Sequence, residues 1–527
     1  MILWAHDPYG SKFSFANKIE RELVPKKMKL IAIDVRRTET AKMGRWVKIR
    51  PGTDCALALG MMHVAIKEEL YDKRFVDEYV YGFDKLAEHV KQYPPEKVAE
   101  ITGVPAADIV DITRTFFENQ PGCIVQGTGG LDRQSNNMQN TRAIAILQAL
   151  TGSINVPGGW IAFPPYGLPD LRLPDFKGRA IGVEKYPLFF ARGIYGDFAP
   201  YGPEGQIINA MLTDDPYPIK AFISTCGNPM VMIPDPAKFK KALDRMEIKI
   251  CVEVFMTETA KESDYVLPST TWMEESGMGS LPVGWTHGGI NMCSYRHQIV
   301  EPIGEAWPNW KIWSELGRRL GHGEYFPWNS SEEVTAMMLS QTGIPLEDLK
   351  NTPGQIRLPV EYGHHRYQGF PSQSGKIEFY SHAFEAVGQP PMPVHREPTQ
   401  SPVSSPELAK KYPLILVSGI RVREYIHSAL RHMKKLKAIR PEPEAEIHPD
   451  AAKKYGIEHG KKVEIATKSG AVVMKARVTE DIHPNTVSIP HGWAKANANA
   501  LIDDEDREPT AGYPQDKGLL CSIRPVD

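Results

Sequence analysis

The pentapeptide Thr-Glu-Thr-Ala-Lys occurs twice, at Thr38–Lys42 and at Thr257–Lys261, each time four residues beyond an acid that ends an apolar run. The first run is Leu30-Ile31-Ala32-Ile33 before Asp34; the second is Ile248-Lys249-Ile250-Cys251-Val252 before Glu253. Upstream of each lies another short strand candidate and a turn. Ile2-Leu3-Trp4-Ala5 precedes His6-Asp7-Pro8, and Phe222-Ile223-Ser224-Thr225 precedes Cys226-Gly227-Asn228-Pro229. A helical stretch separates the two strands of each set, Pro236 to Met246 in the second. Each copy then reaches a further apolar run before a proline, Trp46 to Arg50 before Pro51 and Tyr265-Val266-Leu267 before Pro268. Matched offsets of this kind mark an internal repeat of one strand–turn–helix–strand unit.

A chain of 527 residues is too long for one core, because single cores stop growing at roughly 250–300 residues. Two similar units plus a remainder satisfy that limit. The net charge of −2 provides no bulk field for nucleic acid or an anionic membrane. The longest apolar stretch, Cys55 to Ile66, falls short of the roughly 20 residues that a membrane-spanning helix needs. No secretory signal is visible, so the expected location is cytoplasmic. The six cysteines stand apart with no C-x-x-C spacing, which argues against a zinc ribbon, a cysteine-bound cluster and a disulfide framework.

Each unit is suited to a nucleotide. Ligands of doubly wound sheets bind outside the carboxyl ends of the strands, where a turn entering a helix presents backbone N–H groups. A carboxylate ending the second strand can accept from ribose hydroxyls or from the N1–H and 2-amino edge of guanine. Neither unit has G-x-G-x-x-G, so a nicotinamide-dependent dehydrogenase lacks its main support. Two units imply two nucleotides, or one cofactor with two nucleotide arms.

Several stretches carry a resemblance. Arg50-Pro51-Gly52-Thr53-Asp54-Cys55-Ala56-Leu57, Leu150-Thr151-Gly152-Ser153-Ile154 with Pro157-Gly158-Gly159, and Gly227-Asn228-Pro229 come first. Asp264-Tyr265-Val266-Leu267-Pro268 with Glu274, Glu275 and Gly277, then Ser374-Gly375-Lys376-Ile377-Glu378, follow in the same order. Together they resemble the motifs of the molybdopterin oxidoreductases, the dimethyl-sulfoxide-reductase superfamily. Towards the end, Val417-Ser418-Gly419, Arg421, His427-Ser428, a hairpin from Val463 to Val478 around Lys468-Ser469-Gly470, and His491-Gly492-Trp493 resemble that family's pterin-covering module.

The resemblance implies an α/β fold of two doubly wound Rossmann-like domains and a C-terminal double-psi β-barrel. The boundaries expected are 1–126 and 127–325 for the nucleotide-binding domains, 326–405 for a connecting segment and 406–527 for the barrel. The implied cofactor is bis-molybdopterin guanine dinucleotide with molybdenum or tungsten. Trp4, His6, Asp7, Ser11, Asp34, Arg36, Gly52 and Asp54 would surround one guanosine arm. Asn228, Glu253 and Asn309 would serve the other, and Gly419, Arg421, His427, Ser428, Asn499 and Lys517 would contact the pterins. Arg133, after Gly129-Gly130, stands where relatives often carry a glutamine near the metal, and is the one catalytic candidate. The proline- and aromatic-rich stretch Phe163 to Tyr201 resembles a funnel-lining loop or a partner surface.

Family members usually begin with a cysteine cluster for [4Fe–4S] and a metal-ligating residue ahead of the first nucleotide turn. Here the turn starts at Trp4, so no metal ligand is assigned, and [4Fe–4S] is expected only in a missing N-terminal part. A fragment or separately encoded piece, a start mis-assigned after a selenocysteine codon, and a degenerate non-catalytic member are the three explanations. The first two are favoured because both sets of nucleotide motifs survive. The expected function is the catalytic-subunit portion of a two-electron oxidoreductase acting on a small molecule. Its partners would be the chain carrying cluster and ligand and an iron–sulfur electron-transfer subunit. The barrel sequence looks nearest to the thiosulfate/polysulfide reductase, acetylene hydratase and transhydroxylase group. A formate dehydrogenase is less favoured, since Trp160-Ile161-Ala162-Phe163 follows Pro157-Gly158-Gly159.

Overall fold

A computed structural model of the chain describes residues 1–161, 202–280, 292–510 and 512–526. The stretch Phe163 to Tyr201, singled out above, lies outside the described residues. The two repeats fold as expected into parallel strands. In the first unit, β1 (Ile2–Trp4), β2 (Ile31–Asp34), β3 (Arg45–Lys48) and β4 (Ile124–Gln126) form a sheet of order β3-β2-β1-β4. The chain winds outward from β1 to β3 and then returns to the other side of β1. That reversal opens a crevice between the carboxyl ends of β1 and β4. In the second unit, β5 (Ala221–Thr225), β6 (Ile248–Glu253) and β7 (Tyr265–Pro268) run parallel in the order β5-β6-β7.

The longest apolar run becomes the helix Asp54–Lys67, which is buried on almost all sides. Its alanine, leucine and methionine residues suit a helix surrounded by protein, and it lies against the helix Asn137–Ala149. The core around it runs past residue 126 to Ile154, and takes in Phe379 from the segment expected to be a mere connector. That segment also adds strand pairs to both units, Ile377–Glu378 on Val80–Tyr81 and Ile356–Arg357 on Met292–Arg296. Short local strand signals could not reveal such long-range pairing. A smaller core under the second sheet gathers Phe239, Leu243, Ile208 and Met211.

The last strands close into a barrel of six: β8 (Leu414–Ile420), β9 (Glu444–Ile447), β10 (Lys462–Ala466), β11 (Ala471–Val478), β12 (Thr486–Pro490) and β13 (Lys517–Pro525). The order around the barrel is β8-β12-β9-β11-β10-β13. Inward residues of β11 alternate with exposed ones, and closure removes the sheet edges. The barrel bridges the two units. On the first, Arg37 and His483 exchange backbone bonds with Asp481 and Val35, both at 2.9 Å. On the second, Asn497 and Asn499 donate to the carbonyls of Met230 and Val231 at 3.1 and 2.6 Å.

Candidate cofactor cradle

The repeated pentapeptide is a brace for the turn that follows the first strand of each unit. Thr38 and Thr257 accept from the backbone N–H of Ala41 and Ala260, so the first threonine closes the same local turn in both copies. The second threonine does the matching work across space. Thr40 Oγ1 donates to Asp7 Oδ1 at 2.6 Å and accepts from the Tyr9 N–H at 3.0 Å. Thr259 Oγ1 donates to Asn228 Oδ1 at 2.8 Å and accepts from the Met230 N–H at 3.1 Å. Asp7 and Asn228 each precede a one-turn helix that starts with proline, Pro8–Ser11 and Pro229–Met232. The residues that leave the two strands, Ala5 and Cys226, both have positive φ, 49° and 53°. The two turns are one design used twice.

A cavity of about 330 Å³ occupies the crevice of the first unit. His6, Asp7, Gly10 and Ser11 line one wall, Asp34 and Asp54 the floor, and Gly127 to Gly130 the side of β4. The barrel closes it with Gly419, Arg421 and Lys517. Two glycines permit the close approach of this loop to Ala5, and a third opens to the cavity. A Cβ on Gly127 would lie 1.7 Å from the carbonyl oxygen of Ala5, and one on Gly130 2.6 Å from the Ala5 Cβ. A Cβ on Gly129 would meet nothing within 4 Å, so this residue opens to the cavity.

Charge divides the cavity. Asp34 and Asp54 stand at the strand ends, Arg421 and Lys517 approach from the barrel, and Lys12 and Arg36 join from the first unit itself. Burial pushes Asp34 up to about 6, and the neighbouring Asp7 and Asp54 add to the rise against the pull of Arg36. Asp54 is likewise raised by burial, although it accepts from Trp4 Nε1 at 2.8 Å and Gln134 Nε2 at 3.0 Å. Burial lowers Lys517, which lies 3.8 Å from Asp516 and donates to the Ser418 carbonyl at 2.5 Å. A ligand with hydroxyl or N–H donors at one end and anionic oxygens at the other matches this polarity.

Of the residues expected around the first arm, His6, Asp7, Ser11, Asp34, Arg36 and Asp54 line the cavity. Trp4 is fully buried beneath it and acts through Asp54. Gly52 is not among the lining residues; its positive φ of 83° and its close approach to Pro398 serve the loop before Asp54. Arg36 has a second attachment. Its guanidinium makes a bidentate pair with Glu446 of β9 at 2.6 and 3.0 Å, and Arg477 joins at 3.2 Å. Glu446 stays below the usual carboxylate range because Arg36 outweighs the cost of burial. We expect Glu446→Gln to lower unfolding free energy by about 3 kcal/mol, since it leaves a largely buried guanidinium without its counter-charge. Chemical denaturation at neutral pH measures it, and an unchanged midpoint would contradict the assignment.

In the second unit, Asn228 is buried and its amide donates to Glu258 at 2.7 Å. Glu253 ends β6 and accepts from the Val254 N–H at 2.7 Å. Asn309 begins the helix Asn309–Arg319 and points its amide at the Cys226 sulfur, 3.2 Å away. The three therefore gather at the carboxyl end of the second sheet. On the barrel, Gly419, Arg421 and Lys517 face the first cavity, whereas His427 and Ser428 do not line it. His427 Nδ1 instead lies 2.6 Å from His491 Nε2. Burial lowers both imidazoles, His491 to about 4. Asn499 spends its amide on Val231, tying the barrel to the second turn. Arg133 is also outside the cavity lining. Its carbonyl accepts from the backbone of Asp516 and Lys517, and its side chain lies over the Tyr513 ring.

Sequence reading passed over Gln134, the neighbour of Arg133, which does line the cavity and donates to both Asp54 and the Gly130 carbonyl. The signal available was the glycine-rich Gly127-Thr128-Gly129-Gly130 run, which does not tell which following side chain turns inward. Thr128, inside that run, and Lys12, one residue past the first turn, also line the cavity and were not singled out in the sequence. Among the described residues no group of three or more His, Cys, Asp and Glu side chains could hold a metal ion. All six cysteines are free.

Two braced turns, a switch-point crevice and a barrel closing over it define the fold of a dinucleotide-cofactor protein. The chain belongs to the molybdopterin oxidoreductase family: that family's model matches residues 1–319, and the model described as molydopterin dinucleotide binding domain matches residues 414–520. It is 34% identical to an acetylene hydratase of Syntrophotalea acetylenica, over 94% of this chain and 73% of that protein. It is 29% identical to the thiosulfate reductase molybdopterin-containing subunit of Salmonella typhimurium, over 89% of this chain and 65% of that one. The solved acetylene hydratase from Pelobacter acetylenicus superposes with a TM-score of 0.91 at 30% identity, covering all of this chain and 78% of the other. Among the described residues, no helix is long and apolar enough to cross a membrane.

Proposed function

We propose that the chain cradles a bis-molybdopterin guanine dinucleotide and forms the cofactor-holding body of an enzyme of the acetylene hydratase and thiosulfate reductase group. The observation that carries this reading is the pair of braced turns at the carboxyl ends of two parallel sheets, both held by one barrel. In the first cradle, Asp34 and Asp54 accept from the ribose or the guanine edge, and Ser11 supplies a hydroxyl at the turn. Arg421 and Lys517 meet anionic oxygens from the barrel side, where Gly419 leaves room. In the second, Asn228, Glu253 and Asn309 take the matching positions. Arg36 serves chiefly to lock the first unit to the barrel. Bound, the cofactor would supply a dithiolene-held molybdenum or tungsten for two-electron or Lewis-acid chemistry on a small molecule.

Similarity to the two named relatives supports the substrate group. Metal analysis and GMP released by acid from purified protein test the reading. Molybdenum or tungsten with two GMP per chain is expected. Protein that folds and carries neither, even after expression with the cofactor's biosynthetic machinery, would sink it. Parallel assays for acetaldehyde from acetylene and sulfide from thiosulfate then choose between the substrates.

A further inference from the structure

The barrel half-buries a guanidinium for which the described residues provide no full set of acceptors. Arg431 lies on the face of Trp493, 3.4 Å from the ring centroid, with Tyr425 at 4.4 Å. Nη2 donates to the carbonyls of His427 and His491 at 2.8 and 3.0 Å. Nε and Nη1 are buried and have no hydrogen-bond partner among the described residues. A guanidinium has five N–H donors, so about three remain unmatched. Leaving such donors in a dry site costs more than leaving a neutral group there. Burial pulls Arg431 down to about 10, which still leaves it a cation at neutral pH.

Its surroundings say which side it serves. The carboxylate of Glu258, from the second pentapeptide, acts on it electrostatically and in turn holds Asn228. The next residue, His432, rests its ring on Phe255, just beyond Glu253, with centroids 3.8 Å apart. Arg431 thus lies on the side of the barrel that faces the second unit, whereas Arg421 lines the cavity of the first. The repeat gives two equivalent turns, and the barrel offers one guanidinium to each.

We propose that Arg431 is the anion-binding residue of the second cradle and donates to the phosphate oxygens of the nucleotide arm held there. The proposal rests on the two-cradle reading above. Phosphate is the class of ligand that fits, because it is acceptor-only, anionic and able to take several N–H donors from a planar fork. The aromatic faces of Trp493 and Tyr425 hold the guanidinium in orientation before the ligand arrives.

The test uses the full chain freed of cofactor, with GDP and guanosine as probes in isothermal titration calorimetry. Wild type is expected to bind two GDP per chain. Arg431→Met is expected to weaken one of the two sites by roughly 10- to 100-fold for GDP while leaving guanosine binding there unchanged. The preference for the phosphorylated ligand is thereby lost at one site only. Arg431→Lys keeps the charge and loses the fork, and is expected to weaken that site by about tenfold. It also carries the comparison if circular dichroism shows the methionine variant unfolded. Two sites with unaltered GDP affinity in a folded variant would overturn the role of Arg431. A wild-type chain that takes fewer than two GDP would instead overturn the two-cradle reading, and Arg431's role with it.

Discussion

Gly127→Ala is expected to dismantle the first cradle, lowering unfolding free energy by at least about 3 kcal/mol and abolishing GDP binding at that site. The new Cβ would sit 1.7 Å from the Ala5 carbonyl oxygen, which is main chain and cannot rotate away. Gly127 also donates its N–H to the Trp4 carbonyl at 2.8 Å, so relief of the clash separates β4 from β1. That seam is the switch point on which the cavity depends. Gly129→Ala is the control, because a Cβ there meets nothing within 4 Å. It should melt within a few degrees of wild type and weaken GDP by filling ligand space. Thermal denaturation and calorimetry on both variants provide the comparison. A Gly127→Ala protein that melts like wild type would mean the close approach is not required.

The second large effect is electrostatic. Asp34 is expected to bind its nucleotide donors as a carboxylate, yet in the free protein it ionises only at about 6. GDP affinity at the first cradle should therefore rise about fivefold between pH 5 and 6, by about twofold more to pH 7, and level off above that. Asp34→Asn should remove that slope and weaken binding by roughly 100-fold at pH 7.5, since an amide places a donor where an acceptor is needed. Stability moves the opposite way. The folded value lies above the ordinary value of 3.8, so Asp34's contribution to the free protein is complete below about pH 4. It is lost as pH rises through 6. With partial access to solvent, the loss is on the order of 2 kcal/mol between pH 4 and 7. The difference between wild type and Asp34→Asn in chemical denaturation isolates it from other titrating groups. An affinity independent of pH in the wild type would remove Asp34 from the binding site.

Much of this architecture was legible in the chain. Strand positions came from short apolar runs ending in Asp34 and Glu253, and the hairpin around Lys468-Ser469-Gly470 from its alternation and turn. The reach of the first core to Ile154 and Phe379 was not legible, because contacts across the chain leave no local period. Site residues divide in the same way. Asp7 and Asp34 were marked by a turn and a strand end and Asp54 by its motif, and all three line the cavity. Gln134 was not, because which of two adjacent polar side chains faces inward depends on the rotation of a short loop.

The repeated pentapeptide shows where each source of information ends. By itself the sequence determined that two equivalent units exist, that each ends its second strand in an acid, and that a third segment follows with a different pattern. Apolar periodicity and matched offsets are local properties, so a linear chain can display them. Only the tertiary structure decided what the pentapeptide does. Thr40 and Thr259 reach back across the fold to fix Asp7 and Asn228, and the barrel brings Arg421, Lys517 and Arg431 to turns hundreds of residues earlier. The reason is physical: a hydroxyl or guanidinium acts on its partner over about 3 Å of space, whatever their separation along the chain.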